Sequence, residues 1–115
     1  MQRFEGNGRF HQAIIHNGVL YLSGQTASDV GDDITLQSEK TLEKVDAQLK
    51  KFGSDRTKIL HADVYVRDQK DVAAFNAVWD KWVVKGTEPT RACMVTKLGR
   101  DPILVEVVVT AAVEE

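Results

Sequence analysis

The stretch Asp101-Pro102-Ile103-Leu104-Val105-Glu106-Val107-Val108-Val109-Thr110-Ala111-Ala112-Val113 decides the fold, because it reads as a buried strand interrupted by one carboxylate. Side chains alternate across a strand. Ile103, Val105, Val107, Val109, Ala111 and Val113 therefore share one face, and Leu104, Glu106, Val108, Thr110 and Ala112 share the other. Both faces are apolar enough to require cover. Helices can cover only one, so the second implies another copy of the sheet. A carboxylate on a covered face is costly unless a cation or hydrogen-bond donors meet it.

Immediately upstream, Thr90 to Leu98 reads as another strand. A tight turn near Gly99-Arg100-Asp101 predicts that it is the antiparallel neighbour of the 102–113 strand. With Arg100 and Asp101 central in the turn, Val95 lies opposite Glu106. Arg91, Cys93, Val95 and Glu106 then face one way, with Arg91 and Glu106 roughly 13 Å apart along the strands. A three-residue loop turns Arg91 to the other side. In the first register the two charges either flank a pocket or form a plain ion pair at a subunit contact, and spacing leaves both open.

Further from this stretch, Phe10 to Gly24 places Asn17-Gly18 between two β-prone runs, the signature of a two-residue hairpin turn. After the polar break Gly31-Asp32-Asp33, Ile34, Leu36, Leu42, Val45, Leu49 and Phe52 recur among charged residues, predicting an amphipathic helix capped by Gly53. Ile59 to Val66 predicts a strand with Ala62, Val64 and Val66 on one face and His61, Asp63 and Tyr65 on the other. A second helix, N-capped by Asp71, carries Val72, Phe75, Val78, Trp79, Trp82 and Val83 up to Gly86. The order is β-β-α-β-α-β-β, with a short extra strand at Gln2 to Glu5 as an option. It describes one α+β domain over residues 1–115, with two helices on one face of a mixed sheet.

Bulk properties narrow the function classes. Lys plus Arg number 15 and Asp plus Glu 17 in 115 residues, a formal charge of −2, which argues against nucleic acid as an obligatory partner. The single cysteine, Cys93, has no partner for an intrachain bridge, the N-terminus lacks an apolar signal segment, and no apolar run reaches the ~18 residues of a membrane span. A cytoplasmic protein without membrane contact is expected.

Chemistry-bearing residues are few. His11, His16 and His61 lack ligand spacing, so no metal is expected. Gly6-Asn7-Gly8 follows no full strand and opens no helix, and reads as a turn rather than a phosphate loop. Trp79 and Trp82, at i and i+3, read as a packed helix face. Cys93 reads as a small thiol that packs, since no histidine is placed to activate it.

Four segments together, Tyr21-Leu22-Ser23-Gly24-Gln25, Phe75-Asn76-Ala77-Val78-Trp79, Pro89-Thr90-Arg91-Ala92-Cys93 and Leu104-Val105-Glu106-Val107, resemble the YjgF/RidA family of reactive intermediate deaminases over nearly the whole chain. Trp79 to Val84 and the tail Ala111-Ala112-Val113 look most like its YoaB-like branch. The resemblance implies a chorismate mutase-like fold assembled as a homotrimer, with the sheets inward as a barrel and active sites in clefts between subunits. It further implies hydrolysis of 2-enamines and 2-imines to 2-oxo acids and ammonia, without metal or organic cofactor.

In that resemblance Arg91 holds the substrate carboxylate, a task suited to a planar guanidinium that makes two parallel hydrogen bonds. Glu106 orients the attacking water and handles its proton. Cys93 contacts the ligand through its backbone, and Ser23, Gly24 and Asn76 line or brace the site. Phe10 and His11 stand where the main branch has a capping tyrosine, so a phenolic hydroxyl is missing. Leu98-Gly99 stands where many members have Leu-Pro, which alters the cleft mouth. Two readings follow: a cofactor-free deaminase of small carboxylates, or a noncatalytic trimeric module that binds a 2-oxo acid in the same cleft.

Overall fold

A computed structural model describes residues 1–114; Glu115, the last residue of the expected unit, lies outside the described residues. The elements run β1 (Gln2–Gly6), β2 (His11–His16), β3 (Val19–Leu22), α1 (Ile34–Lys51), β4 (Ile59–Val66), α2 (Val72–Trp82), β5 (Thr90–Val95) and β6 (Val105–Ala112). The order matches the sequence reading, the optional N-terminal strand included.

Local chemistry explains most boundaries. Asn17 and Gly18 take φ of 51° and 77°, both left-handed, which is the geometry that lets two residues join β2 to β3 without splaying them. The Asp33 side chain accepts from the Leu36 amide at 3.1 Å and so starts α1. Gly53, at φ 88°, follows Phe52 and lets the chain leave the helix. Asp71 does not cap α2 as expected. A short 3-10 turn, Gln69–Asp71, runs directly into the helix, so Asp71 already has helical dihedrals and its side chain caps nothing.

The sheet order is β1-β2-β3-β6-β4-β5. It corrects the expected pairing of the last two strands. β5 lies parallel to β4, while β6 inserts antiparallel between β3 and β4, so β5 and β6 are not neighbours. The physical reason is the crossover. A β-α-β unit returns its second strand parallel to the first, and α2 supplies the connection. The chain after β5 is also no tight turn. Thr96 N still donates to Val66 O at 3.1 Å and Arg67 N donates to Leu104 O at 2.9 Å, so residues 96–104 pass around the end of β4.

Gln37 holds that passage in place. Its side chain is fully buried, with Nε2 donating to Gly31 O at 2.6 Å and Pro102 O at 2.7 Å, and Oε1 accepting from Leu104 N at 3.0 Å. A buried amide satisfied on both ends stabilises; one left unpaired costs about 1–3 kcal/mol per group.

One sheet face and the two helices form the core. Leu42, Val45 and Leu49 of α1 and Phe75 and Trp79 of α2 pack on Ala62, Val64, Val66, Val105, Val107, Val109 and Ala111. The opposite face carries Ile14, Val19, Tyr21, Val108 and Ala112 beside His61, Asp63, Tyr65 and Glu106, all partly accessible. None of the described elements covers it, and the molecule is a slab of 40 × 38 × 21 Å.

Candidate functional site

Strand register fixes where each candidate side chain points. Arg91 pairs with Ala62 and so lies on the helix side of the sheet; Glu106 pairs with Tyr65 and so lies on the open side. The expected common orientation of Arg91, Cys93, Val95 and Glu106 is thereby corrected. Arg91, Cys93 and Val95 share the helix side, and Glu106 faces the other way, because β4 separates the two strands and shifts the pairing.

On the open side, the chain leaving β3 crosses β6 at Glu106. Gln25 and Val107 exchange two backbone hydrogen bonds, at 2.9 and 3.1 Å, which press Gly24 against the glutamate. A Cβ at Gly24 would land on Glu106 Oε2 and stand 2.9 Å from its carboxyl carbon. Only glycine leaves room for the carboxylate in this position; a Cβ would make it swing away. Ser23 is tied into the hairpin, its amide donating to Gln12 O at 3.0 Å and its hydroxyl to His11 O at 2.7 Å. Phe10 precedes β2 at the same hairpin end with its ring exposed, in a turn where Asn7 Oδ1 accepts from the Arg9 and Phe10 amides.

Glu106 itself is half-buried and has no hydrogen bond or ion pair among the described residues. It borders a hollow of about 320 Å³ with Tyr65, Thr96, Lys97, Leu98, Gly99 and Val108. Leu98 and Gly99, expected at the cleft mouth, are therefore beside the glutamate. A larger hollow, about 600 Å³, is the outer groove between α1 and α2, lined by Leu36, Glu43, Arg56 and Trp82 among others. It holds none of the candidate residues, so chemistry, not size, identifies the site.

On the helix side, the Arg91 guanidinium lies over the Trp79 ring, 5.2 Å from its centroid. No acid pairs with Arg91 among the described residues. Cys93, two residues on, is an exposed free thiol. Asn76, one turn before Trp79 on α2, has a buried Oδ1 without a partner among the described residues. Among the described residues no group of three or more metal-ligating side chains occurs, and no helix is long and apolar enough to cross a membrane.

The structure thus gathers Ser23, Gly24 and Glu106 on the open face and Arg91 and Cys93 on the edge of the other. Tyr65 and Lys97 at the glutamate, and Trp79 under the arginine, have no site role in the sequence reading. Tyr65 had been placed on the correct strand face, and Trp79 on the correct helix face, but neither position names a neighbour across the sheet.

The helix-backed six-stranded sheet is the fold of a known family. Residues 1–113 match the family model described as Endoribonuclease L-PSP, and the chain belongs to that family, the YjgF/RidA proteins, with relatives of the YoaB kind. The RutC family protein YoaB of Escherichia coli (strain K12) is 36% identical over 111 residues, spanning 96% of each chain. A RutC family protein of Haemophilus ducreyi is 34% identical over 111 residues, 96% of this chain and 95% of the relative. Among solved structures, a YjgF family member from Neisseria meningitidis superposes with a TM-score of 0.93 at 35% identity, covering 99% of this chain and 95% of the other.

Proposed function

We propose that the protein hydrolyses 2-imines and 2-enamines of small carboxylates to 2-oxo acids and ammonia, in a cleft formed between two copies of the chain. One observation carries the reading. An accessible guanidinium and a half-buried carboxylate, each without a counter-charge, project from opposite faces of one sheet. Within a single chain they do not converge on one substrate. A second copy that covers the open face can bring its own arginine to the first copy's glutamate, which relieves two unpaired charges and an uncovered apolar face together. A closed homotrimer with the sheets inward is the assembly proposed.

The chemistry needs little more. Arg91 holds the substrate carboxylate by two parallel N–H···O bonds, with the Cys93 backbone and Asn76 of the same copy bracing the ligand. Glu106 of the other copy, beside Gly24 and Ser23, orients a water toward C2 of the protonated imine and accepts its proton as the C–O bond forms. Glu106 returns that proton to nitrogen, then takes the hydroxyl proton of the carbinolamine as the C–N bond breaks, so that ammonia leaves, a 2-oxo acid forms, and the remaining proton passes from Glu106 to the ammonia. A 2-enamine enters the same sequence after taking a proton at C3 to become the protonated imine. The substrate carboxylate supplies no catalysis; it fixes the distance between C2 and that water.

The ribonuclease activity in the family description draws no support from this chain. Its net charge is −2, and the accessible face presents Asp63 and Glu106 where a phosphate track would need cations.

The test is turnover. An imino acid generated in place by an amino acid oxidase loses its C=N absorbance faster in the presence of the protein. Arg91→Ala abolishes that acceleration, and Glu106→Gln slows it sharply while leaving 2-oxo acid affinity largely intact. Equal rates in both variants and the parent would reject the assignment. Binding without any turnover would favour the noncatalytic module.

A further inference from the structure

Arg91 does not stand alone on the helix side. Its guanidinium carbon lies 5.2 Å from the Trp79 ring centroid, and Trp79 packs on Trp82 at 5.6 Å and on Phe75 at 6.1 Å. At the far end of this row the Arg56 guanidinium lies 5.4 Å over Trp82. The two tryptophans are therefore enclosed between two arginines.

The arginines differ in one respect. Arg56 is consumed by the fold: its Nη1 donates to Trp82 O at 2.9 Å and its Nε meets Asp46 at 3.1 Å. Among the described residues Arg91 has only the ring. Trp79 is 5% exposed and locked by its aromatic neighbours, whereas Arg91 is an exposed residue on an edge strand. A cation–π contact of this kind draws on the charge of the guanidinium and leaves N–H donors for an anion.

We infer that Trp79 is the positioning residue for Arg91: its ring holds the guanidinium in place before a ligand arrives, so that a carboxylate meets two donors already positioned, and its indole lies close enough to sense that carboxylate. This rests on the proposed role of Arg91. A flexible arginine on an edge strand must lose side-chain freedom before it grips a planar anion, and the immobile ring removes that freedom beforehand. The stack acts on binding, not on the water, so it sets ligand affinity and KM rather than kcat.

The experiment uses Trp82→Phe, which leaves Trp79 as the one tryptophan of the chain's two. In that background Arg91→Ala shifts the Trp79 emission of the free protein, since the ring loses its cation. Sodium pyruvate then changes the emission saturably in the Arg91 protein, and methyl pyruvate, which lacks the anion, does not.

In the otherwise native chain, Trp79→Leu weakens pyruvate binding, read by calorimetry, by about tenfold and raises KM alike with kcat nearly unchanged, while Trp79→Phe stays within about threefold. Circular dichroism and thermal unfolding establish that each variant is folded, and the emission arm needs no change at position 79.

Unchanged emission on Arg91→Ala, or native affinity in a folded Trp79→Leu variant, would overturn the inference. An intact emission shift with no pyruvate binding at all overturns the proposed role of Arg91 and that of Trp79 with it. Binding that follows the expected pattern with no imine turnover removes the deaminase reading and leaves Trp79 as the support of an anion site.

Discussion

Arg91 and Glu106 point to opposite sides of one sheet, with β4 lying between the strands that carry them. Two side chains so placed act on one small molecule only if the molecule sits between two copies of the chain.

That relationship predicts complementation. Arg91→Ala chains are inactive and Glu106→Gln chains slow when each is alone, but when mixed and allowed to exchange subunits they gain activity above the sum of the two. A cleft is intact when one chain supplies the arginine and the other the glutamate, about a quarter of clefts in a random equimolar mixture of closed trimers. Initial rates on an imino acid after mild unfolding and refolding of the mixture provide the measurement. No recovery in mixed assemblies would place both groups in one chain.

Gly24 is where the glutamate rests, so Gly24→Ala should displace the carboxylate while leaving the fold intact. A misplacement near 1 Å costs about a hundredfold in rate. The variant is expected to lose turnover by that order with its unfolding temperature almost unchanged, since the Gln25–Val107 bonds that dock the segment are backbone bonds. An active Gly24→Ala protein would show that Glu106 does not need this resting place.

Gln37 predicts a stability effect without a catalytic role. Gln37→Leu removes three hydrogen bonds and strands the Leu104 amide, together with the Gly31 and Pro102 carbonyls, beside an apolar side chain. A loss of about 2 kcal/mol or more is expected in urea unfolding. The 96–104 passage loosens with it, which faster amide exchange at Leu104 would report. Unaltered stability would mean that water replaces the amide at no cost.

Acid stability depends in part on Asp55. The Thr57 hydroxyl and the Thr57 amide both donate to its carboxylate and hold its pKa below the ordinary Asp range. A group whose folded pKa is depressed stabilises above its unfolded value and loses that contribution as pH falls through the folded value. Asp55→Ala should therefore be less stable than the parent at neutral pH and converge with it in strong acid, as paired urea titrations at the two pH values would show. A difference that persists in acid would assign the effect to the turn backbone instead.

Local rules made most of the sequence readable, the cap expected at Asp71 excepted. Asn17-Gly18 set the hairpin, the Leu42-Val45-Leu49 spacing set the buried side of α1, and alternation in 103–113 sorted its residues onto the two faces of the sheet. Glu106 was legible as an anomaly because a carboxylate among valines conflicts with its surroundings. Gln37 escaped notice, since an amide on a helix reads as solvent-facing until the carbonyls of Gly31 and Pro102 and the amide of Leu104 are known to converge on it.

What residues alone determined was therefore which segments are strands and helices, and which side of each is apolar: these are properties of periods of two and of 3.6 residues, written within a few neighbouring positions. Strand adjacency is of another kind. It depends on which ladder a segment finds across the molecule, and a connection from residue 96 to 104 accommodates either a hairpin or a passage around β4. Only the packed sheet, with α2 forcing β5 parallel to β4 and β6 inserted on the other side, decided that Arg91 and Glu106 belong to opposite faces.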